Sequence, residues 1–321
     1  MQDEATPGII APRKQRDLAR AISKVENGRG ESLELQASLG PRDPAQGRLA
    51  VFGITGPPGA GKSTLVDRLI EKFRAQGKTV AVVAIDPSSP FTHGAVLGDR
   101  VRMQRHSSDD GVFIRSMASR EGAGGLAPAT REAVSLVEAA GFDLCIIETV
   151  GVGQVELEIV AIADVVVVVT VPALGDSVQT IKAGLTEIAD VFVVNMADRP
   201  GANATMVDLK HMLRESSRDV PVLQTIANDG KGIDEVVEAL HQFEVRGAPN
   251  ATRAVHFEVV RLARESAARA ARAALDSEEA ARLLADLESG KTSRREVVQQ
   301  ILALADSRAA SSAARSKPQS A

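Results

Sequence analysis

The chain has 321 residues, enough for one large α/β domain with an appendage or for two modest domains. Apolar residues make up 44% but aromatics only 2%, with no Trp or Tyr, which assigns the core to Val, Ile, Leu and Ala and favours buried parallel strands and Ala-rich helices over aromatic binding platforms. A formal net charge of −4 supplies no basic field for non-specific nucleic-acid binding, so nucleic acid is not an expected partner. Acids near Met1 stand where a secretory leader needs positive charge, and no segment reaches the roughly 18 apolar residues of a membrane span, so no membrane association and a cytoplasmic location are expected. Cys145, inside the apolar run Leu144-Cys145-Ile146-Ile147, reads as a small buried hydrophobe in a reducing compartment.

Residues 1–47 read as an N-terminal helical arm and linker. Leu18, Ile22 and Val25 recur at helical spacing over 13–27, and Gly28, Gly30, Gly40, Pro41 and Pro44 then interrupt the pattern. Over 48–247 short apolar runs at 49–55, 79–85, 112–115, 143–147, 165–171, 191–195 and 220–224 alternate with helical patterns. Runs such as Val165 to Val169, with no polar alternation, suit strands buried on both faces, so this region is expected to be a doubly wound, mostly parallel α/β sheet. After Gly247 and Pro249 the composition turns to Ala, Arg and Glu, and 248–306 reads as a helical extension with apolar stripes at Val255, Val259, Leu262 and at Leu283, Leu284, Leu287. These helices would pack on the core or on another copy. Ser293 and Glu296 form a capping pattern for a last helix after Gly290, and the tail 307–321 is expected to be disordered.

Gly56-Pro57-Pro58-Gly59-Ala60-Gly61-Lys62-Ser63 fits the P-loop pattern in full, after a strand and before a helix expected over 63–73. The glycines let backbone N–H groups converge on phosphates, Lys62 reaches the β and γ phosphates, and the Ser63 hydroxyl ligates Mg²⁺. Two further apolar strands end in acids, Asp86 and Glu148. Each is placed to hold magnesium at the carboxyl edge of a parallel sheet, and each is also explicable as a helix cap. Glu148-Thr149-Val150-Gly151 has the spacing of the Asp-x-x-Gly sensor of GTPases, with Gly151 offering its N–H to the γ-phosphate. Val152 occupies the place of the usual water-orienting Gln, so intrinsic hydrolysis is expected to be slow.

Asn195-Met196-Ala197-Asp198 follows another strand, where GTPases carry Asn-Lys-x-Asp. The Asp198 carboxylate would accept from the guanine ring N–H and exocyclic amine, a pairing that adenine does not offer. Met196 can replace only the stacking of the usual Lys. The same string is also a common turn at a strand end. Thr225 and Ala227 follow the next strand in the position of a third base loop, and Thr64 extends the phosphate loop.

These strings, with Asp86-Pro87-Ser88-Ser89-Pro90, Leu97-Gly98-Asp99-Arg100, Glu148 through Gln154 and Gly175-Asp176, resemble the MeaB/ArgK GTPases, chaperones of methylmalonyl-CoA mutase and related adenosylcobalamin-dependent acyl-CoA mutases. The resemblance implies a P-loop GTPase fold of the SIMIBI type with a C-terminal helical dimerisation extension. It implies Ser63, Asp86, Asp99 and Glu148 around the magnesium, with Lys62, Asp99 and Glu148 carrying hydrolysis. It further implies a homodimer, a partner switch at 172–182 bearing Asp176, Gln179 and Lys182, and adenosylcobalamin held by the mutase rather than by this chain. Ser177 stands where the family typically has Glu. The rival readings are a nucleotide-dependent metallochaperone and an ATP-using kinase of amino-acid transport. The first would need a Cys/His cluster, whereas this chain has one Cys and five scattered His, and Asp198 disfavours adenine for the second.

Overall fold

Strands with apolar side chains on both faces are stable only between two helical layers, and this requirement organises residues 1–254. The computed structural model describes residues 8–27, 32–40, 42–43, 47–87, 104–119, 128–149, 159–172, 186–215, 219–246, part of 259–275, and 276–315. Seven strands form one sheet: β1 Ala50–Thr55, β2 Val80–Pro87, β3 Val112–Ser119, β4 Leu144–Thr149, β5 Val165–Thr170, β6 Val191–Val194 and β7 Val222–Gln224. Their spatial order is β3-β2-β4-β1-β5-β6-β7, and every pairing between these strands is parallel. All strand carboxyl ends therefore share one edge.

Among the described residues of this unit the helices of eight residues or more are α1 Pro12–Glu26, α2 Ser32–Leu39, α3 Lys62–Ala75, α4 Pro128–Ala139, α5 Ala202–Glu215 and α6 Ile233–Arg246. On one face of the sheet Phe52, Ile54, Val82, Ile146, Val167 and Val193 pack against Leu65, Leu69 and Phe73 of α3 and Val236 and Leu240 of α6. Each fully buried side chain of this kind contributes about 1.5–3 kcal/mol. Helix α1 buries Leu18, Ala21, Ile22 and Val25 and contacts α4 and β3. Helix α2 lies within the stretch expected to be a linker and contacts α4, with Leu35 and Leu39 buried. Its eight residues are too few to be helical on propensity alone, so tertiary burial stabilises it, and the flanking Gly and Pro mark its ends.

Three strands outrun the expected apolar runs, because a backbone ladder continues wherever its neighbour does, regardless of side-chain polarity. Asp86 pairs with Ala118, and Glu148 pairs with Ile54 and with Ala84, so both acids belong to the ladder instead of following it. β3 passes through Arg115, whose guanidinium bonds Ser23 Oγ at 3.0 Å and the Glu26 carboxylate, tying α1 to the sheet.

Residues 255–321 form a separate compact unit. Its helices α7 Glu278–Glu288 and α8 Arg294–Arg315 enclose a small core of Ala274, Ala280, Val297, Ile301 and Ala305. The capping pattern is realised reciprocally: Ser293 Oγ accepts from Glu296 N at 3.3 Å and Glu296 Oε2 accepts from Ser293 N at 2.9 Å. Helix α8 runs to Arg315, through part of the stretch expected to be disordered.

At the opposite edge from the strand carboxyl ends, Arg74 of α3 clamps the turn before β3. Its guanidinium bonds both Asp109 oxygens at 2.9 and 2.8 Å and donates to Gly8 O at 2.9 Å and Lys78 O at 2.7 Å. These bonds from Arg74, aided by the Gly111 N–H, hold the Asp109 carboxyl below its ordinary range against the opposing effect of burial. A carboxylate with a depressed folded pKa contributes stability above its unfolded pKa and loses it as pH falls through the folded value. Arg74→Met is expected to cost about 2 kcal/mol or more at pH 7. Denaturant titrations of both proteins should show this difference shrinking as the pH falls below about 4, the unfolded carboxylate range.

Candidate nucleotide site

The loop Gly56–Gly61 joins β1 to α3, and the surrounding backbone dictates its glycines. Gly56 has φ 137°, and a Cβ there would run into the carbonyl oxygen of Val169 on β5. Gly61, at φ 83°, is the N-cap of α3, and a Cβ there would collide with the Asn195 side chain. The crest, Pro58 and Gly59, is exposed, whereas Ala60 is buried and anchors the loop on the core. Lys62 Nζ folds back over the loop and donates to Gly56 O at 2.8 Å and Pro57 O at 3.1 Å. That places a buried ammonium above a ring of backbone groups at the N-terminus of a 14-residue helix, the arrangement that attracts phosphate.

Ser63 Oγ donates to Glu148 Oε1 at 2.7 Å across 85 positions of sequence. Ala84 is the ladder partner of Glu148, and Asp86 lies two residues further along β2, so Asp86 and Glu148 occupy the same sheet face at neighbouring strand ends. Both carboxylates are 2% exposed and Ser63 is 6% exposed, which does not suit solvated helix caps. A hydroxyl with two carboxylates is an all-oxygen donor set, and hard cations such as Mg²⁺ prefer it. Among the described residues no group of three or more His, Cys, Asp or Glu side chains is placed to hold a metal. Beneath this edge Thr149 Oγ1 donates to Thr55 Oγ1 at 2.8 Å, bridging β4 to β1. Cys145 is buried in β4, and desolvation pushes its thiol up to about 12, so it is an inert core residue.

The second half of the site is a cleft of about 140 Å³ lined by Gly61, Thr64, Met196, Asp198, Ala227 and their neighbours. Asn195, 2% exposed, holds three loops together. Its Nδ2 donates to Ala60 O at 2.9 Å, and its Oδ1 accepts from Thr225 Oγ1 at 3.0 Å and Ala227 N at 3.1 Å. Met196 has φ 55°, a left-handed conformation unfavourable for a non-glycine residue, and its side chain packs against the main core. The turn is fixed by Ala197 N to Thr225 O at 3.0 Å and Arg199 N to Met196 O at 2.9 Å, and it presents the exposed Asp198 at the cleft.

Of the residues singled out from sequence, Gly56 through Thr64, Asp86, Glu148, Asn195, Asp198, Thr225 and Ala227 lie at this one edge. Asp99, Gly151, Asp176, Gln179 and Lys182 lie outside the described residues. Sequence reasoning missed Arg199, Asn228 and Asp229 on the cleft, and Arg68 of α3, which bonds the loop carrying Ala227. No local motif marks them, since each acts through a neighbour distant in sequence.

A glycine-rich loop between a buried strand and a helix, with a hydroxyl–carboxylate pair beside it and an Asn-x-x-Asp turn two strands away, defines a P-loop nucleotide hydrolase. Residues 18–276 match the family described as methylmalonyl-CoA mutase-associated GTPase MeaB. The chain is 53% identical to a putative GTPase of Pyrococcus abyssi over 71% of this chain and 72% of the relative. It is 38% identical to the GTPase ArgK of Escherichia coli over 71% of each. A crystal structure described as a LAO/AO transport system kinase superposes with a TM-score of 0.63 at 27% identity, covering 90% of this chain and 94% of that one. The chain belongs to the MeaB family and is a GTPase. Among the described residues no helix is long and apolar enough to cross a membrane.

Asn195→Ala would orphan the Ala60, Thr225 and Ala227 groups in a buried setting. Nucleotide affinity and stability should fall together, the latter by about 2–4 kcal/mol, as read by calorimetry and denaturant unfolding.

Proposed function

We propose that this GTPase is a nucleotide-dependent chaperone of an adenosylcobalamin-dependent acyl-CoA mutase, methylmalonyl-CoA mutase or a relative. In this role it gates cofactor loading and protects or reactivates the mutase. The observation that carries the mutase assignment is the match of residues 18–276 to a family described by its association with methylmalonyl-CoA mutase. Adenosylcobalamin would be held by the mutase, and this chain would contribute a GTP-driven change of shape.

In this reading the backbone of Gly56–Gly61 cradles the phosphates. Lys62 exchanges its two loop carbonyls for β- and γ-phosphate oxygens, and Thr64 closes the phosphate loop toward the base cleft. Ser63, Asp86 and Glu148 would hold Mg²⁺, with Asp99 joining them by family resemblance. Bound there, Mg²⁺ would supply charge neutralisation for transfer of the terminal phosphoryl group to water, with GDP as the leaving group. In this reading Glu148 links metal to motion, because it is the penultimate residue of the buried β4, and the Val150–Gly151 string follows that strand in sequence. Asp198 and the turn around Met196 would read guanine.

A homodimer is supported by the C-terminal unit, where Leu284, Val298 and Leu302 remain 39%, 58% and 43% exposed. The partner switch is proposed at 172–182, with Asp176, Gln179 and Lys182 as its polar groups. It follows the buried strand β5 and thus leaves the same edge as the phosphate loop. The cytoplasm is the proposed location.

Ser63→Ala and Glu148→Ala are each expected to slow GTP hydrolysis at least about tenfold, about 1.4 kcal/mol of barrier, without loss of fold. Full activity of Glu148→Ala at limiting magnesium would reduce Glu148 to a structural residue. Calorimetry should show GDP binding at least about tenfold tighter than ADP, and equal affinities would reject guanine readout. Lys182→Ala should keep intrinsic hydrolysis within about threefold yet lose the stimulation given by the cognate mutase, measured as rates with and without that enzyme.

A further inference from the structure

Helix α3 carries a charged stripe on the face turned away from the sheet core, at Asp67, Arg68 and Glu71. Arg68 does more than pair along its helix. Its Nε donates to Ala227 O at 3.0 Å and its Nη2 to Asn228 O at 2.5 Å, 159 and 160 positions away in sequence. Its remaining nitrogen, Nη1, donates to Glu71 Oε2 at 3.0 Å. Glu71 also pairs with Arg105 Nη1 at 2.6 Å, and Arg105 together with His106 binds the Asp67 carboxylate. The guanidinium is therefore oriented on one side by Glu71 and spends its fork on two successive peptide carbonyls of the loop that lines the base cleft.

We propose that Arg68 is a positioning residue for guanine recognition, locking the loop Thr225–Asn228 onto the same helix that begins with Lys62 and Ser63. The inference rests on the GTPase activity and adds a residue outside the P-loop and the Asn-x-x-Asp turn. The loop is gripped from two sides, by Asn195 on the Ala227 N–H and by Arg68 on the Ala227 carbonyl, so its peptide planes are fixed. From Thr225 the constraint passes to the base-reading turn, because Thr225 O accepts from Ala197 N, next to Asp198. A planar fork with two directed donors suits adjacent carbonyls, whereas a lysine ammonium is one freely rotating centre. Arg68 touches neither phosphate loop nor metal donors in any of these bonds, so its loss should fall on the base half of the site.

The test compares GDP with pyrophosphate, the latter occupying only the phosphate half. In wild-type protein, Arg68→Ala and Arg68→Lys, affinities for both are measured by calorimetry with magnesium, alongside thermal unfolding. Wild-type binding of GDP is the control for the GTPase reading itself: failure there sinks that reading, not this one. Arg68→Ala is expected to weaken GDP about tenfold and to narrow the GDP-over-ADP ratio, with pyrophosphate affinity within about twofold. Arg68→Lys, which keeps the charge and the helix, should recover less than half of the loss. Equal losses for GDP and pyrophosphate would mean that α3 as a whole has shifted and would overturn the proposal. Unchanged GDP affinity, or full recovery by lysine, would overturn it as well.

Discussion

The structure depends on the two-sided pairing of β1. Its backbone must be satisfied on both edges, and β4 and β5 supply this, with Phe52 opposite Val165 and Ile54 opposite Glu148. Once β1 is central, the loop that leaves it emerges between the ends of β4 and β5. Gly56 then lies against the Val169 carbonyl, where no side chain fits, and Ser63 at the start of α3 comes within hydrogen-bond reach of Glu148. The chemistry at the edge follows from strand order rather than from any single motif.

The two halves of the site are held by different physics. The phosphate half relies on backbone dipoles and a helix terminus and needs the permissive geometry of glycine. The base half relies on side chains that bond to main chain of other loops, Asn195 from below and Arg68 from the helix above. Such bonds join elements far apart in sequence and fix the loops' positions relative to one another. Met196 adds cost, since its positive φ must be sustained by that surrounding network.

Outside the site, charge is used locally. Arg74, Arg115 and Arg42 each reach main-chain or acidic groups of a neighbouring element and fasten α3, α1 and the segment before β1 to the sheet and its helices. They cover polar ends that apolar packing leaves exposed. With few aromatic side chains, the core gains stability from close β-branched packing, and the Phe52–Phe73 stack at 5.8 Å sits where β1 meets α3.

Sequence by itself determined the parallel sheet, since Val165 to Val169 has no polar face to turn to water. It also marked the glycine-rich loop between β1 and α3, because that pattern is eight contiguous residues, and the Ser293–Glu296 cap, because its partners lie three positions apart. Asp86 and Glu148 were legible as strand-end acids, but only the ladder register put them on one face and only the fold brought Glu148 to Ser63. The helix α2, the lengths of β2 to β4, the strut formed by Asn195 and the grip of Arg68 were decided by tertiary structure. Each depends on a partner that is remote along the chain: α4 for the short helix, a neighbouring strand for each ladder, Ala60 and Ala227 for Asn195, and a loop 159 positions away for Arg68. Local pattern encodes periodicity and contiguous motifs, whereas contacts of that separation exist only once the sheet has set which ends meet.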